Sequence, residues 1–523
     1  MPGRVPGGRP ASRYLTPPEV PGIRFFLQAS PVERKATYTN RPNLSDRVKL
    51  VTLRGLFRTK SIEQLKETAE RKSLRRTLGP IDILLMGIGA IIGTGIFVLT
   101  GVAAAKYAGP GIVISFIISG VACVFIALVY SELASMVPVS GSTYTYSYAA
   151  LGEIIAWIVG WDLVLEYAFS ICVVSAGWSG YVTSIIQDAG IMLPRALTAT
   201  PSDGGILNLP AMFIPVLIGL LLVRGTRESA NFNRAIVLIK LVAIGIFVFL
   251  AAPKVDPANW TDFLPYGFTG VLAGASIIFL AYIGFDAMST TAEESRNPGR
   301  DVPFGIIGSL LVCSVLYIVV SVLLTMLVPY SELNNAEPVA YALSAVGYRM
   351  GSAIVAVGAV AGITSVLLAT MYGQTRIVFA MSRDGFLPSW VSKVHPRYGT
   401  PYMVTIVMSI AAALVAGVTP IQVLAELVNI GTLFAFVLAS VGVLALRYKR
   451  PEAPRPFKAP VIHIVAPIAI IMCILLMLNL PLTTWARFIV WFAIGLVIYF
   501  GYGYRHSTLN KAVATQRIAE KKL

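Results

Sequence analysis

The chain has 523 residues, of which 56% are hydrophobic and 13% charged, and its 42 basic and 26 acidic side chains leave a formal charge of +16. Soluble domains carry about 25% charged residues, and the mean hydropathy here is +0.74. Apolar runs of about 20 residues recur almost end to end, which excludes a soluble globular protein and gives an all-α polytopic membrane protein; the alternating pattern of barrel strands is missing.

A basic surplus of this size could suggest nucleic acid. Lys and Arg gathered in cytoplasmic loops, facing anionic lipid headgroups, explain it better, so lipids and not nucleic acid are the expected partners. Cys123, Cys172, Cys313 and Cys473 all lie inside apolar segments and read as small buried hydrophobes, not as a disulfide or zinc framework. His395, His463 and His506 are scattered, so neither a metal nor a cofactor is expected.

Residues 1–50 are rich in Pro, Gly and Arg without periodicity, and no apolar stretch follows to make a signal peptide. They read as disordered or as a spurious extension, with translation starting at Val51. Residues 51–79 form a compact basic segment. Ser61 to Leu78 reads as a helix opened by a capping box of Ser61 and Gln64, with Lys66, Arg71, Lys72, Arg75 and Arg76 suited to an anionic cytoplasmic surface.

Twelve apolar segments follow, at 80–107, 109–136, 153–188, 210–224, 233–252, 268–291, 302–328, 352–382, 401–417, 422–446, 461–481 and 485–504. The first holds Gly87-Ile88-Gly89-Ala90-Ile91-Ile92-Gly93-Thr94-Gly95-Ile96-Phe97, with four glycines in nine residues. Each glycine costs a helix interior about 1 kcal/mol relative to alanine. Broken backbone at membrane depth is tolerated only where protein buries it or it lines a cavity, so this stretch is a candidate binding site. A half-helix restarting at Gly93, Thr94 and Gly95 offers N–H groups and a positive dipole end to a carboxylate. Close helix packing is the alternative for any single glycine.

The third segment carries Glu166 near mid-membrane, with Asp162 one turn earlier. A carboxylate at that depth needs a cationic partner or a proton, so Glu166 is read as a ligand for an amino group or a cationic side chain, or as a protonated group bonded within the bundle. In the fifth segment Lys240 lies six residues past Arg234, about 9 Å into the membrane at 1.5 Å per residue. It is a functional candidate, with snorkelling to the cytoplasm as the alternative. The sixth segment has its own interruption, Phe279-Leu280-Ala281-Tyr282-Ile283-Gly284-Phe285-Asp286. Asp286 reads first as a cap for the next half-helix, with Ser289 or nearby N–H groups as partners, and second as a substrate or proton ligand.

Basic residues crowd the even-numbered loops: Arg224, Arg227 and Arg234; Arg296 and Arg300; Arg383, Lys393 and Arg397; Arg447, Lys449, Arg450, Arg455 and Lys458. Those loops and both termini, including the basic tail 506–523, are expected in the cytoplasm, in the inner or plasma membrane. If segments one to five (80–253) and six to ten (254–446) are two halves, the breaks fall at matching positions. Five helices per half force the halves to opposite topology, and paired breaks point to a transporter site at the repeat interface.

These residues match a family pattern. Gly89 to Phe97, Tyr130-Ser131-Glu132-Leu133 with Pro138 and Ser140-Gly141-Ser142, and Ile283-Gly284-Phe285-Asp286 with Glu293-Glu294 and Asn297-Pro298 resemble amino acid–polyamine–organocation transporters. Tyr372-Gly373-Gln374-Thr375-Arg376 and Ala380-Met381-Ser382-Arg383-Asp384-Gly385 resemble the cationic amino acid transporter branch. The resemblance covers about residues 60–505 and implies a LeuT-type 5+5 inverted repeat with two additional helices at 447–505, twelve transmembrane helices in all.

It also implies site roles. Substrate would lie against both breaks, at Ile91, Gly93, Thr94, Gly95, Leu280, Ala281 and Ile283, with Thr370 of the eighth segment facing the cavity and Met371 beside it. Lys240 would replace the cation that bridges the first and eighth helices in sodium-coupled members, releasing the bridge when it loses its proton. Glu293, Glu294 and Arg376 would form a cytoplasmic gate or ordinary surface pairs. The expected function is proton-coupled amino acid import by alternating access, with cationic substrates such as arginine or lysine favoured by Glu166 and Thr370. Small neutral amino acids such as alanine are the alternative, and a transporter-like sensor a more distant one. A polytopic membrane enzyme is more distant still and none is expected, because no His cluster, nucleophile–base pair or phosphate-binding loop appears.

Overall fold

Every apolar segment becomes a helix. The computed structural model describes residues 56–60, 78–138, 142–224 and 230–508. The expected readings for 1–50 and for the helix after Ser61 lie outside these, apart from Leu78.

The first segment opens as α1 (Pro80–Ile91), where proline occupies the first turn and Asp82 accepts from the Gly79 N–H at 3.0 Å. The helix breaks at Ile92, whose backbone is extended, and helical turns resume over 95–108. Then come α2 (Ile112–Met136), α3 (Ser142–Ala150), α4 (Glu153–Asp188), α5 (Leu209–Arg224) and α6 (Ala230–Ala251). The sixth segment is α7 (Gly267–Ile278), a tightened 3-10 stretch Phe279–Tyr282, an extended residue Ile283, and a second 3-10 stretch Asp286–Glu293. The rest of the chain forms α8 (Pro298–Leu327), α9 (Pro338–Ala345), α10 (Arg349–Arg383), α11 (Tyr402–Val418), α12 (Ile421–Lys449), α13 (Ile462–Leu478) and α14 (Leu482–Ile498).

Among the described residues, eight stretches are long and apolar enough to cross a membrane, the first of them, Pro80–Met136, taking in both α1 and α2. Helices α5, α11 and α13 are shorter apolar helices. The short helices α3 and α9 were not expected from hydropathy.

Two groups of helices pack about the breaks. Helix α8 lies between α1 and α2, and α7 packs on α2. Helix α4 packs against α10, α12 and α5, and α5 against α11. Helix α6 bridges the groups by touching both α1 and α10. Serines stitch α2 to α7: Ser115 donates to Val271 O at 2.7 Å and Ser119 to Ala275 O at 2.9 Å. In a bundle without a hydrophobic driving force between helices, such bonds and close backbone packing hold helices in register.

Candidate substrate site at two broken helices

The two breaks touch. A methyl group on Gly95 would lie 2.3 Å from Ala281 Cα and 2.5 Å from its Cβ, so the restart after the first break is pressed against the backbone of the second. Only glycine allows that approach. Gly284 has φ +122°, a region that favours glycine, and its Cα faces the Ala90 carbonyl, 2.8 Å from where a Cβ would stand. The expected residues Ile91, Gly93, Thr94, Gly95, Leu280, Ala281 and Ile283 are therefore brought into one neighbourhood.

Each half of this neighbourhood has a wall. Gly93 faces Val366 of α10, whose methyl would lie 3.1 Å from an added Cβ. Thr370 is one turn beyond Val366 on the same helix face, and its hydroxyl donates to Val366 O at 2.8 Å. Met371 is buried and points towards Gly219 of α5. Thr94 faces Gly177 of α4, and its buried hydroxyl has no hydrogen-bond partner among the described residues. Aromatic rings close the α12 side. Phe436 lies 6.1 Å from Phe279 and 5.4 Å from Phe285, spanning the second break, with Tyr130 5.2 Å away.

Polar side chains hold the loosened backbone. Lys240 is fully buried, and its ammonium donates to Gly89 O at 2.5 Å and Ile92 O at 2.9 Å. Its stem packs on Gly362 of α10, where an added Cβ would lie 3.0 Å from Lys240 Cγ. The snorkelling alternative is not what the geometry adopts: the ammonium points at the first break. Asp286 accepts from the Gly284 N–H at 3.2 Å, a cap across the turn of the second break, rather than engaging Ser289. Glu166 is buried on α4 facing Thr432 of α12, close enough to Asp286 for their charges to interact. Asp162, one turn earlier, lies against Gly431, and neither of its oxygens has a partner among the described residues.

Sequence reasoning missed Tyr317. Its hydroxyl lies 2.9 Å from Ile91 O and 2.9 Å from Ala281 O, so one side chain of α8 touches a carbonyl from each break. Its ring packs 5.5 Å from Phe116 and 5.4 Å from Tyr282. The only signal was a lone hydroxyl in the apolar run Leu316-Tyr317-Ile318.

The family model described as amino acid permease matches residues 78–500. This chain belongs to the amino acid permease family. The permease is 50% identical over 463 residues to the branched-chain amino acid permease BcaP of Bacillus subtilis, covering 87% of this chain and 99% of the relative. It is 46% identical over 459 residues to the methylthioribose transporter of the same organism, covering 87% of this chain and all of the relative. Cationic amino acid transporter 1 of Arabidopsis thaliana is 36% identical over 397 residues, 76% of this chain and 67% of the relative. The function is transport, not enzymatic turnover.

Ion pairs tie the ends of the permease's helices. Arg234, at the start of α6, pairs with Asp82 of α1. Lys60 donates to Asp384 at 3.0 Å, and Tyr144 of α3 donates to the other oxygen of the same carboxylate at 2.7 Å. Fully buried Glu132 takes a two-pronged contact from Arg447, at 2.7 and 2.8 Å, and accepts from the Ala459 N–H at 2.9 Å. Of the expected gate residues, Arg376 stacks on Tyr372, 3.9 Å from the ring centre, and Glu294 pairs through its backbone with Leu78; the Glu293 side chain lies outside the described residues.

Proposed function

We propose that this permease imports amino acids together with protons, by alternating access about the two breaks. The observation that carries this reading is the Lys240 ammonium on the Gly89 and Ile92 carbonyls, with its stem on α10. While charged, it bridges the first break to α6 and α10. Losing the proton removes one donor and the charge, which weakens the bridge and frees α1 to move. The substrate carboxylate meets the N–H groups restarting at Gly93, Thr94 and Gly95, and its ammonium meets the carbonyls of Ile91 and Ala281. The helices form a LeuT-type five-plus-five inverted repeat followed by α13 and α14. The permease lies in the cell membrane with its basic loops and both termini in the cytoplasm, against anionic lipid.

For the substrate side chain, branched aliphatic groups are the favoured reading. It is supported by the 50% identity with a relative named for branched-chain substrates and by the apolar wall of Phe279, Phe285 and Phe436. The cationic reading remains the second, supported by Glu166 and Asp286 close behind the second break and by the relatives named cationic amino acid transporters.

The test is uptake of labelled leucine and arginine into proteoliposomes under an imposed pH gradient, with methylthioribose as a competitor. Gradient-driven leucine uptake is expected, blocked by isoleucine and valine. Preferential uptake of arginine would replace the first side-chain reading by the second, and uptake of methylthioribose alone would defeat both. Equal uptake without the gradient, or full coupling in Lys240→Ala, would remove the proton claim.

A further inference from the structure

Lys240 has a counterpart at the second break. Asn429 is fully buried on α12, and its amide nitrogen lies 2.8 Å from Ser276 O and 2.9 Å from Ile277 O, in the last turn of α7. Two carbonyls can be met only by the NH2 end of the amide, which has two hydrogens to give. Helix ends leave their last carbonyls without helical partners, and here the helix tightens to a 3-10 stretch directly afterwards. Lys240 does the same for α1, at Gly89 and Ile92. The placement matches too: Lys240 lies ten residues past Ala230, the start of α6, and Asn429 eight past Ile421, the start of α12.

We propose that Asn429 is the pseudo-symmetric partner of Lys240, a positioning residue that holds the second broken helix as Lys240 holds the first, but without a titratable proton. This rests on the five-plus-five reading, in which α6 and α12 close the two halves, and on proton release from Lys240. The repeat then carries two latches of different chemistry. A lysine can open its latch by giving up a proton. A primary amide cannot, so the second break stays held across the pH range in which the first is released. One proton therefore frees only the α1 half, on the side of the basic loops, and the asymmetry gives the cycle a proton-controlled gate on one face alone.

The surroundings fit this division. Lys240 faces carbonyls from α1, Gly362 from α10, and Cys313 from α8, the titratable group with which it interacts. Around Asn429, Glu426 one turn earlier is occupied by the Thr484 hydroxyl at 2.5 Å, and Glu166 of α4 faces Thr432 one turn later. Asn429 Oδ1 is buried with no partner among the described residues, so the amide engages its surroundings through its two donors.

The experiment uses the full chain in proteoliposomes, with leucine or arginine, whichever the wild type takes up, and reads initial rate against pH and binding affinity by ligand-induced thermal stabilisation. Asn429→Asp keeps the shape but donates only when protonated. Its uptake is expected to fall as pH rises, adding a titration absent from the wild type, while Asn429→Gln restores the wild-type pH profile. Asn429→Ala is expected to bind about tenfold more weakly, the loss of two hydrogen bonds of roughly 0.5–1.5 kcal/mol each, and to keep the wild-type dependence on the proton gradient. An Asn429→Asp profile superimposable on the wild type overturns the proposal. If that variant is not recovered folded, wild-type affinity in Asn429→Ala overturns it instead. A wild type whose uptake ignores pH defeats the Lys240 reading alone and leaves the Asn429→Ala affinity loss standing.

Discussion

Gly93 and Gly95 are two residues apart but face different kinds of neighbour. At Gly95 an added methyl meets Ala281 Cα at 2.3 Å, and backbone cannot swing aside; at Gly93 it meets a Val366 methyl at 3.1 Å, which a rotamer change can relieve. Gly95→Ala is expected to cut uptake at least about tenfold with normal insertion, and Gly93→Ala to stay within roughly threefold, since overpacking costs about 1–3 kcal/mol when nothing can yield. Equal rates in the two variants, measured per folded transporter, would contradict the close contact of the breaks. Tyr317 makes a second residue-scale prediction. Its one hydroxyl proton serves two carbonyls, so Ile91 O and Ala281 O compete for it, and in the proposed function the one left over meets the substrate ammonium. Tyr317→Phe keeps the ring contacts and loses the tether. KM is expected to rise about fivefold for every amino acid tested, with the order of preference unchanged, consistent with a net hydrogen bond of about 1 kcal/mol. A change in preference alone would mean that Tyr317 reads side chains.

At the scale of elements, Glu132 clamps α2 to the segment leaving α12. Its carboxylate is fully buried and satisfied by Arg447, by the Ala459 N–H and by Arg455 at 3.5 Å. Removing the shared carboxylate leaves the buried Arg455 guanidinium uncompensated, at a cost of about 3–5 kcal/mol. Glu132→Gln is therefore expected to lower the melting temperature in detergent more than Arg447→Met, which leaves Arg455 against the carboxylate; a larger loss in Arg447→Met would show that Arg447 alone balances the charge. The sequence marked Glu132 only as part of a motif, because its partners lie 315 and more residues away. Apolar helices were legible for the opposite reason: a bilayer-length run is a local property. Helices α3 and α9 were not, since Ser142–Ala150 and Pro338–Ala345 are short and alternate tyrosine, serine or alanine without a long apolar run. Glycine spacing exposed both breaks. Their holders, Tyr317 and Asn429, were hidden because a side chain aimed at a backbone carbonyl has no partner residue type to pair with in a sequence.

On the scale of the whole molecule, α9 packs against the turns that follow the first break. Gly101, in the turns after the first break, meets Pro338 at the start of α9, where an added Cβ would lie 2.4 Å from the ring. Gly180 of α4 meets Ala336 in the same way, at 2.5 Å. Glu337 sits between these two contacts. Burial pushes its carboxyl up to about 7, with Asp188 adding to the rise and a hydrogen bond from Ser184 opposing it. An undocked Glu337 would titrate near the ordinary value of 4.5, so between about 4.5 and 7 the docked state binds more protons than the undocked one. Docking of α9 is therefore strongest in acid, weakens as pH rises through that window, and is constant above it. Glu337→Gln cannot ionise and should hold the docked state at every pH. Hydrogen exchange over 328–348, compared at pH 5 and 8 after correction for intrinsic rates, should show protection lost at pH 8 in the wild type and kept in the variant. Equal protection at both pH values in the wild type would mean that α9 docks without regard to the charge on Glu337.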